Sequence, residues 1–421
     1  MYIVSIIFQG QKIISAGRKS WACGRLLLFL RSKQICGRLI MNRSRISSVD
    51  SEAIAQLRLP LAIAVVFIHV GMGFTGTGIC WSAPTGMDWY RFAGCLIVNE
   101  LAGMAVPLFF MISGYLFFVG SGQMEERRWW PVYGQKLKRR VRTLLIPYII
   151  YNILAAVGLI VNHVLSGHTL MQALDLYMGH WHWLRNFWDV HTVGTSTNVL
   201  GITKAVAYPL NGPLWFVRDL MMVMLLAPIV RLAIRYLRWG WLVLMVALAL
   251  MGIWIPLPGF GVSSCLFFSM GAWFACTGLS MGESLAKWRW VLLGVALPAM
   301  IGDVVADGTD YDKYLHLLAL MSGILCVFAF VAKAQVKWRV PVWSGQAAFF
   351  LFATHTLPIA GLGARPVEWC KGLIWTNSNE AWLCFVQFMA TGLLTAALCL
   401  AVFLLLRLVC PRFLDFTTGR D

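Results

Sequence analysis

The sequence predicts an all-α fold: a polytopic transmembrane helix bundle of about ten spans, with both the N-terminus and the C-terminus cytoplasmic. Composition is the first reason. Of 421 residues, 59% are hydrophobic and 13% charged, about half the roughly 25% charged share of a soluble domain. A chain with 20 Trp and 25 Phe cannot cover its surface with polar groups, which excludes a cytosolic globular enzyme, a disordered protein and a fibrous one. The second reason is the recurrence of apolar windows near the length of about 20 residues that crosses a bilayer. The third is how the basic residues sort between loops.

Taken in order, the windows lie near 54–74, 93–119, 144–165, 212–234, 239–257, 260–280, 289–306, 315–332, 341–362 and 380–406. The seventh is short and contains Pro298. With the N-terminus inside, the inner segments hold 27 Lys and Arg and the outer loops hold 6, namely Arg91, Arg185, Lys204, Lys313, Arg365 and Lys371. That asymmetry supports both the count and the orientation. It also explains the formal charge of +17 as cytoplasmic loops rather than a nucleic-acid surface, so no nucleic-acid partner is expected. The oligomeric state is not legible.

Residues 1–50 stand apart as a basic N-terminal extension, with nine basic residues and no acid before Asp50. The apolar patch Leu26–Leu30 is too short to span, and no cleavage site follows it, so a signal peptide is not expected. The segment reads either as a basic stretch resting on anionic lipid or, the favoured reading, as an extension upstream of a start at Met41. Residues 51–410 form the transmembrane domain and 411–421 a short cytoplasmic tail. The 11 Cys are scattered through apolar segments without metal-ligand spacing, as buried apolar residues are.

Titratable groups inside spans are costly and therefore suspect as functional. Six residues stand out: Arg58 and His69 in the first span, Glu100 in the second, the Arg218-Asp219 pair in the fourth and His355 in the ninth. All except Arg58 fall in one layer about 7–11 Å below the outer face, which suggests one buried polar site. Arg58 and His69 are eleven residues apart, nearly three whole turns, so they share a helix face about 16 Å apart. An anion held at Arg58 reaches His69 only through a long flexible arm, the shape of a coenzyme A thioester. His69 in a poorly solvated site stays neutral and suits a general base. Glu100, meeting its other ring nitrogen, would orient it. At the inner mouth of the third span, Lys136, Lys138, Arg139, Arg140 and Arg142 offer phosphate ligands; on spacing alone, ordinary cytoplasmic anchoring accounts for them better.

Several of these segments together resemble the acyltransferase-3 family. They are Arg58-x10-His69, the run from Pro107 through Ser113-Gly114-Tyr115-Leu116, Arg139-x-x-Arg142 before Leu145-Ile146-Pro147-Tyr148, Pro213-Leu214-Trp215-Phe216-Val217, and Ser344-Gly345 with Phe350-Leu351-Phe352-Ala353-Thr354-His355. The resemblance covers about residues 54–406. It implies a multi-pass protein of the bacterial inner membrane that moves an acyl group, acetyl above all, from cytoplasmic acyl-CoA to a hydroxyl of a cell-surface glycan or glycolipid. By position it implies His69 as the essential histidine, Arg58 as its paired arginine, and Arg139 and Arg142 as holders of CoA phosphates, with Lys136 beside them. His355 matches a position commonly occupied in the family. Acyl-CoA is then a donor substrate, with no permanently bound cofactor. Ser113, Trp215, Arg218, Asp219 and His355 remain further candidates; Glu100 and Asp219 rest on depth alone.

Other signals carry less. Gly71-x-Gly73-x-x-Gly76 spells a dinucleotide fingerprint but follows a membrane helix. His180, His182, Asp189 and His191 sit among Trp181, Trp183, Phe187 and Trp188, as in an interfacial aromatic belt or a platform for sugars. Asp303, Asp307, Asp310 and Asp312 lack EF-hand spacing and read as a solvated acidic loop, so no metal site is expected. The competing functions are a proton-coupled secondary transporter using the buried His, Glu, Asp and Arg layer, and a glycan flippase or scaffold.

Overall fold

The computed structural model describes residues 46–419 apart from 180–181, 198–199, 335–339 and 362. The basic extension up to residue 45, and His180 and Trp181 of the aromatic loop, lie outside the described residues.

Helix α1 (Ser48–Val70) opens the bundle, capped by the Ser47 hydroxyl, which accepts from the Asp50 amide. Asp50 is fully buried. Its carboxylate accepts from the Tyr115 hydroxyl and from the Gly282 amide, each at 2.5 Å. The first helix therefore starts ahead of residue 51, with an acid that holds two other segments to its base.

Helix α2 (Gly86–Cys95) starts on a capping box between Thr85 and Asp88, runs through a π-helical segment at Leu96–Ala102 and resumes as α3 (Ala105–Phe118). Helix α4 (Glu126–Arg140) continues through a second π segment, Val141–Leu145, into α5 (Ile146–Leu165). Two short helices follow, α6 (Leu170–Met178) and α7 (His182–Arg185). Then comes an antiparallel hairpin of β1 (His191–Thr197) and β2 (Thr203–Tyr208), with His191 opposite Tyr208 and an irregularity between Thr192 and Gly194. The hairpin is a departure from the loop that apolar length alone predicts for this segment; its Thr, Val and Tyr residues suit a strand. It is the sole sheet among the described residues.

A 3-10 turn at Gly212–Leu214 leads into α8 (Trp215–Leu225), and α9 (Ala227–Leu237) departs from it at 60°. Pro228, at the start of α9, supplies the break because it has no amide hydrogen to continue the helix. The remainder is helical: α10 (Trp239–Met251), α11 (Val262–Thr277), α12 (Met281–Ala286), α13 (Arg289–Ala306), α14 (Asp312–Ala334), α15 (Ser344–Thr354), α16 (Pro366–Ile374), α17 (Ala381–Val409) and α18 (Pro411–Thr417).

Every expected window contains a helix. Six helical segments among the described residues are long and apolar enough to cross a membrane, seven if the bent α8–α9 pair counts as one span. Helices α10, α11 and α15, of 13, 16 and 11 residues, occupy the other windows. The structure is that of an all-α membrane protein with one small hairpin.

Helices α3 and α11 cross at backbone contact. A Cβ on Gly114 would lie 2.0 Å from the Phe268 carbonyl oxygen, and one on Gly271 would lie 1.8 Å from that of Met111. Glycine on each partner lets two membrane helices approach this closely. The tail that follows residue 410 contains a docked helix: Leu414 and Thr417 of α18 are buried, and Gln346 at the start of α15 donates to Asp415 at 2.7 Å.

Candidate active site

Helices α1 and α15 pack side by side, and both of the residues marked on α1 face α15. The Arg58 guanidinium lies against Gly345, 3.1 Å from where a Cβ would stand. One end further on, His69 Nδ1 lies 3.1 Å from His355 Nε2, with the rings edge to face at 4.7 Å between centroids. The eleven-residue spacing on α1 is thus matched by the ten residues from Gly345 to His355, which caps the end of α15, so two separate sequence blocks form one seam.

The hydrogen bonds fix the tautomers. His355 Nδ1 faces the Leu351 carbonyl oxygen at 3.1 Å, so it carries a proton, and in the neutral ring Nε2 is then the acceptor. His69 Nδ1 faces that acceptor and also the Val65 carbonyl at 2.9 Å; only a protonated Nδ1 satisfies both. The lone pair of neutral His69 is therefore on Nε2, the position a general base needs. His355 is fully buried and His69 partly so. The Arg365 guanidinium, on the loop before α16, is close enough for its charge to be felt at His69.

Around Arg58 the field is strongly positive. Arg140, at the end of α4, lies within electrostatic reach of both Arg58 and Arg139. Arg142 follows in the π segment. Lys136 points elsewhere: its ammonium donates to the Phe117 carbonyl and, at 2.8 Å, to the Ser121 hydroxyl. It thus ties α4 to the end of α3.

The single polar layer expected from depth resolves into three clusters. His69 and His355 make the first. Arg218 and Asp219 make the second: Arg218 Nη2 is 2.9 Å from Asp219 Oδ1, with both side chains buried. Arg218 also donates to the Ala207 carbonyl at 3.1 Å and to that of Trp188, so the pair anchors the hairpin to α8. It lines a cavity of about 640 Å³ with Trp215, Tyr208 and Phe260. Ser113 is half-buried on α3.

Glu100 belongs to a third cluster and does not meet His69. Its carboxylate faces His316 of α14, whose Nδ1 is 4.0 Å from Glu100 Oε1 and 2.8 Å from Asp303 Oδ2. The physical reason is the π segment, whose extra residue per turn alters the direction in which Glu100 projects. Asp303 is likewise no part of a solvated loop; it is buried near the end of α13. Asp189 pairs with Arg185 at 3.2 Å, and His191 opens β1.

A family model described as an acyltransferase domain matches residues 52–406. The chain belongs to the acyltransferase-3 family. It is a membrane O-acyltransferase. Among curated proteins, the acyltransferase is similar to "Succinoglycan biosynthesis protein ExoH" of Rhizobium meliloti (strain 1021), with 27% identity over 390 residues covering 88% of this chain and 92% of that protein. No solved structure matches it.

Sequence reasoning missed four residues. Asp50 was assigned to the extension, and Arg365 was only counted as a loop charge. Asn211, buried before α8, donates to the Ala353 carbonyl at 3.0 Å but looks like a loop residue. His316 gave one signal, a histidine four residues after Asp312, which a helix places on one face.

Proposed function

We propose that this acyltransferase spans the bacterial cytoplasmic membrane about ten times with both termini inside. In this reading it transfers an acyl group, acetyl first, from cytoplasmic acyl-CoA to a hydroxyl of a cell-surface glycan or glycolipid. The observation that carries the reading is the α1–α15 seam, with Arg58 at one end and a base-competent His69 at the other. Arg58, Arg139, Arg140 and Arg142 hold the phosphates of the donor, and the pantetheine arm runs along the seam. His69 Nε2 takes the proton of the acceptor hydroxyl as its oxygen attacks the thioester carbonyl. The C–S bond then breaks and the proton passes to the departing thiolate. Arg365 stabilises negative charge that develops on the carbonyl oxygen. Most of the rate comes from holding thioester and hydroxyl together; general base help adds about 10²–10⁴-fold. The polysaccharide named in the R. meliloti relative supports a glycan acceptor.

The test is free-thiol release from acetyl-CoA by the purified protein in nanodiscs, with and without a crude envelope glycan fraction. Release that rises with glycan and vanishes in His69→Ala supports the reading. Undiminished release by a folded His69→Ala protein refutes it.

A further inference from the structure

We propose that Glu100, Asp303 and His316 form a binding site for a divalent transition-metal ion, zinc first. One donor atom from each residue lies within 4.8 Å of the others. Glu100 is 1% exposed and faces the Asp303 carboxylate, and among the described residues no donor group lies within hydrogen-bond distance of either Glu100 oxygen or of the buried Asp303 Oδ1. Buried carboxylate oxygens are rarely left so, and here they converge on the same point as a histidine ring. Two carboxylates and one imidazole make the mixed oxygen and nitrogen set that zinc accepts, with a further position left open.

The geometry needs little adjustment. A tetrahedral zinc ion with bonds of about 2.0–2.1 Å sets donors about 3.3 Å apart. The His316–Asp303 separation of 2.8 Å would widen slightly and the His316–Glu100 separation of 4.0 Å would close slightly, both within the reach of side-chain torsions. Divalent charge would neutralise two acids that the apolar helices otherwise isolate. The three residues line a cavity of about 360 Å³ together with Asn99, Asp312 and Lys313. Asp312 stands one turn before His316 on α14 and lines the same cavity. Lys313 also lines this cavity, with its ammonium held over the Tyr314 ring at 5.0 Å. The π segment at Leu96–Ala102 supplies the irregular turn that aims Glu100 here, as such turns do at functional sites.

Glu100 and His69 have different partners, His316 and His355, and the test reads metal and not activity. The full-length protein in nanodiscs is stripped with EDTA, equilibrated separately with Zn²⁺, Mn²⁺, Mg²⁺ and Ca²⁺, and its bound metal is counted by mass spectrometry. Folding is checked by size exclusion and thermal unfolding. The expected result is one equivalent of Zn²⁺, with binding at least tenfold weaker in Glu100→Gln and Asp303→Asn and unchanged in Asp310→Asn. Should a buried-carboxylate variant fail to fold, His316→Gln, whose parent side chain is 45% exposed, carries the same expectation. Absence of divalent binding in the folded wild type overturns the proposal and leaves a proton shared between the two acids. Zinc binding that survives in the folded variants overturns it equally.

Discussion

His355 Nε2 accepts from His69 Nδ1 across 3.1 Å, and this bond decides which nitrogen of His69 can act as a base. The role of His355 is to position His69, and it should be separable from that of the base itself. His69→Ala should lose at least about 10²-fold in transfer. In His355→Gln the amide oxygen still accepts from His69 Nδ1, so activity should exceed that of His355→Ala. Thiol release with acetyl-CoA, measured across pH, gives the comparison. Equal loss in both His355 variants would argue that the ring itself takes part.

At the other end of the seam, Gly345 leaves room for the Arg58 guanidinium. An added Cβ would come to 3.1 Å of Arg58 Nη1, the far end of a flexible side chain that can move aside. Gly345→Ala should therefore fold normally and raise KM for acyl-CoA several-fold with kcat nearly kept. Arg142→Ala should also act chiefly on KM. A Gly345→Ala protein that loses kcat alone would place Arg58 outside donor binding.

The helices were largely legible because apolar length is a one-dimensional signal. The pairing of Arg58 with His69 was legible as well, since eleven residues on one regular helix fix a common face. Partners across helices were not. Depth alone linked Glu100 to His69, but a π turn redirects it, and nothing in the letters Leu96–Ala102 announces that turn. Depth also grouped Arg218 with His69, whereas lateral position in a bundle separates them. Asp50 was overlooked because an acid beside a basic, weakly apolar segment reads as solvated; its partners Tyr115 and Gly282 are 65 and 232 residues away.

Asp50→Ala should destabilise the fold without touching the seam. It leaves the buried Tyr115 hydroxyl and Gly282 amide without their acceptor, at about 1–3 kcal/mol. Asp50→Asn keeps one carbonyl oxygen and should recover part of the loss. Thermal unfolding in detergent, read beside acyl-CoA binding of the surviving folded fraction, distinguishes the two variants.

Asp307, just beyond α13, tethers the loop after α1 by accepting from the Thr75 hydroxyl at 2.5 Å and the Gly76 amide at 2.6 Å. These bonds, the Thr75 hydroxyl foremost, hold its carboxyl below the usual carboxylate range. A depressed acid contributes stability that is fully present above its unfolded pKa and is lost as pH falls through the folded one. Protection of the Gly76 and Thr77 amides, both of which donate to Asp307, from hydrogen exchange, corrected for the intrinsic rate, should stay level at neutral pH and fall only in acid. In Asp307→Asn the dependence should be absent.

The crossing of α3 and α11 gives the sharpest stability test, because backbone rather than side chain blocks any enlargement. At Gly271 a Cβ would stand 1.8 Å from the Met111 carbonyl oxygen and 2.8 Å from the Tyr115 amide. Neither atom can swing aside as a side chain would, so the helices must separate. Overpacking costs about 1–3 kcal/mol where side chains absorb it, and Gly271→Ala should reach the upper end of that range or pass it. Gly114→Ala, opposed by the Phe268 carbonyl at 2.0 Å, should behave alike. Because Tyr115 follows Gly114 on α3 and also holds Asp50, widening this crossing loosens the base of α1. The double variant Gly271→Ala with Asp50→Ala should therefore lose less than the sum of the two single losses. Unfolding midpoints of the four proteins close that cycle, and strict additivity would mean that the crossing and the Asp50 anchor are energetically separate.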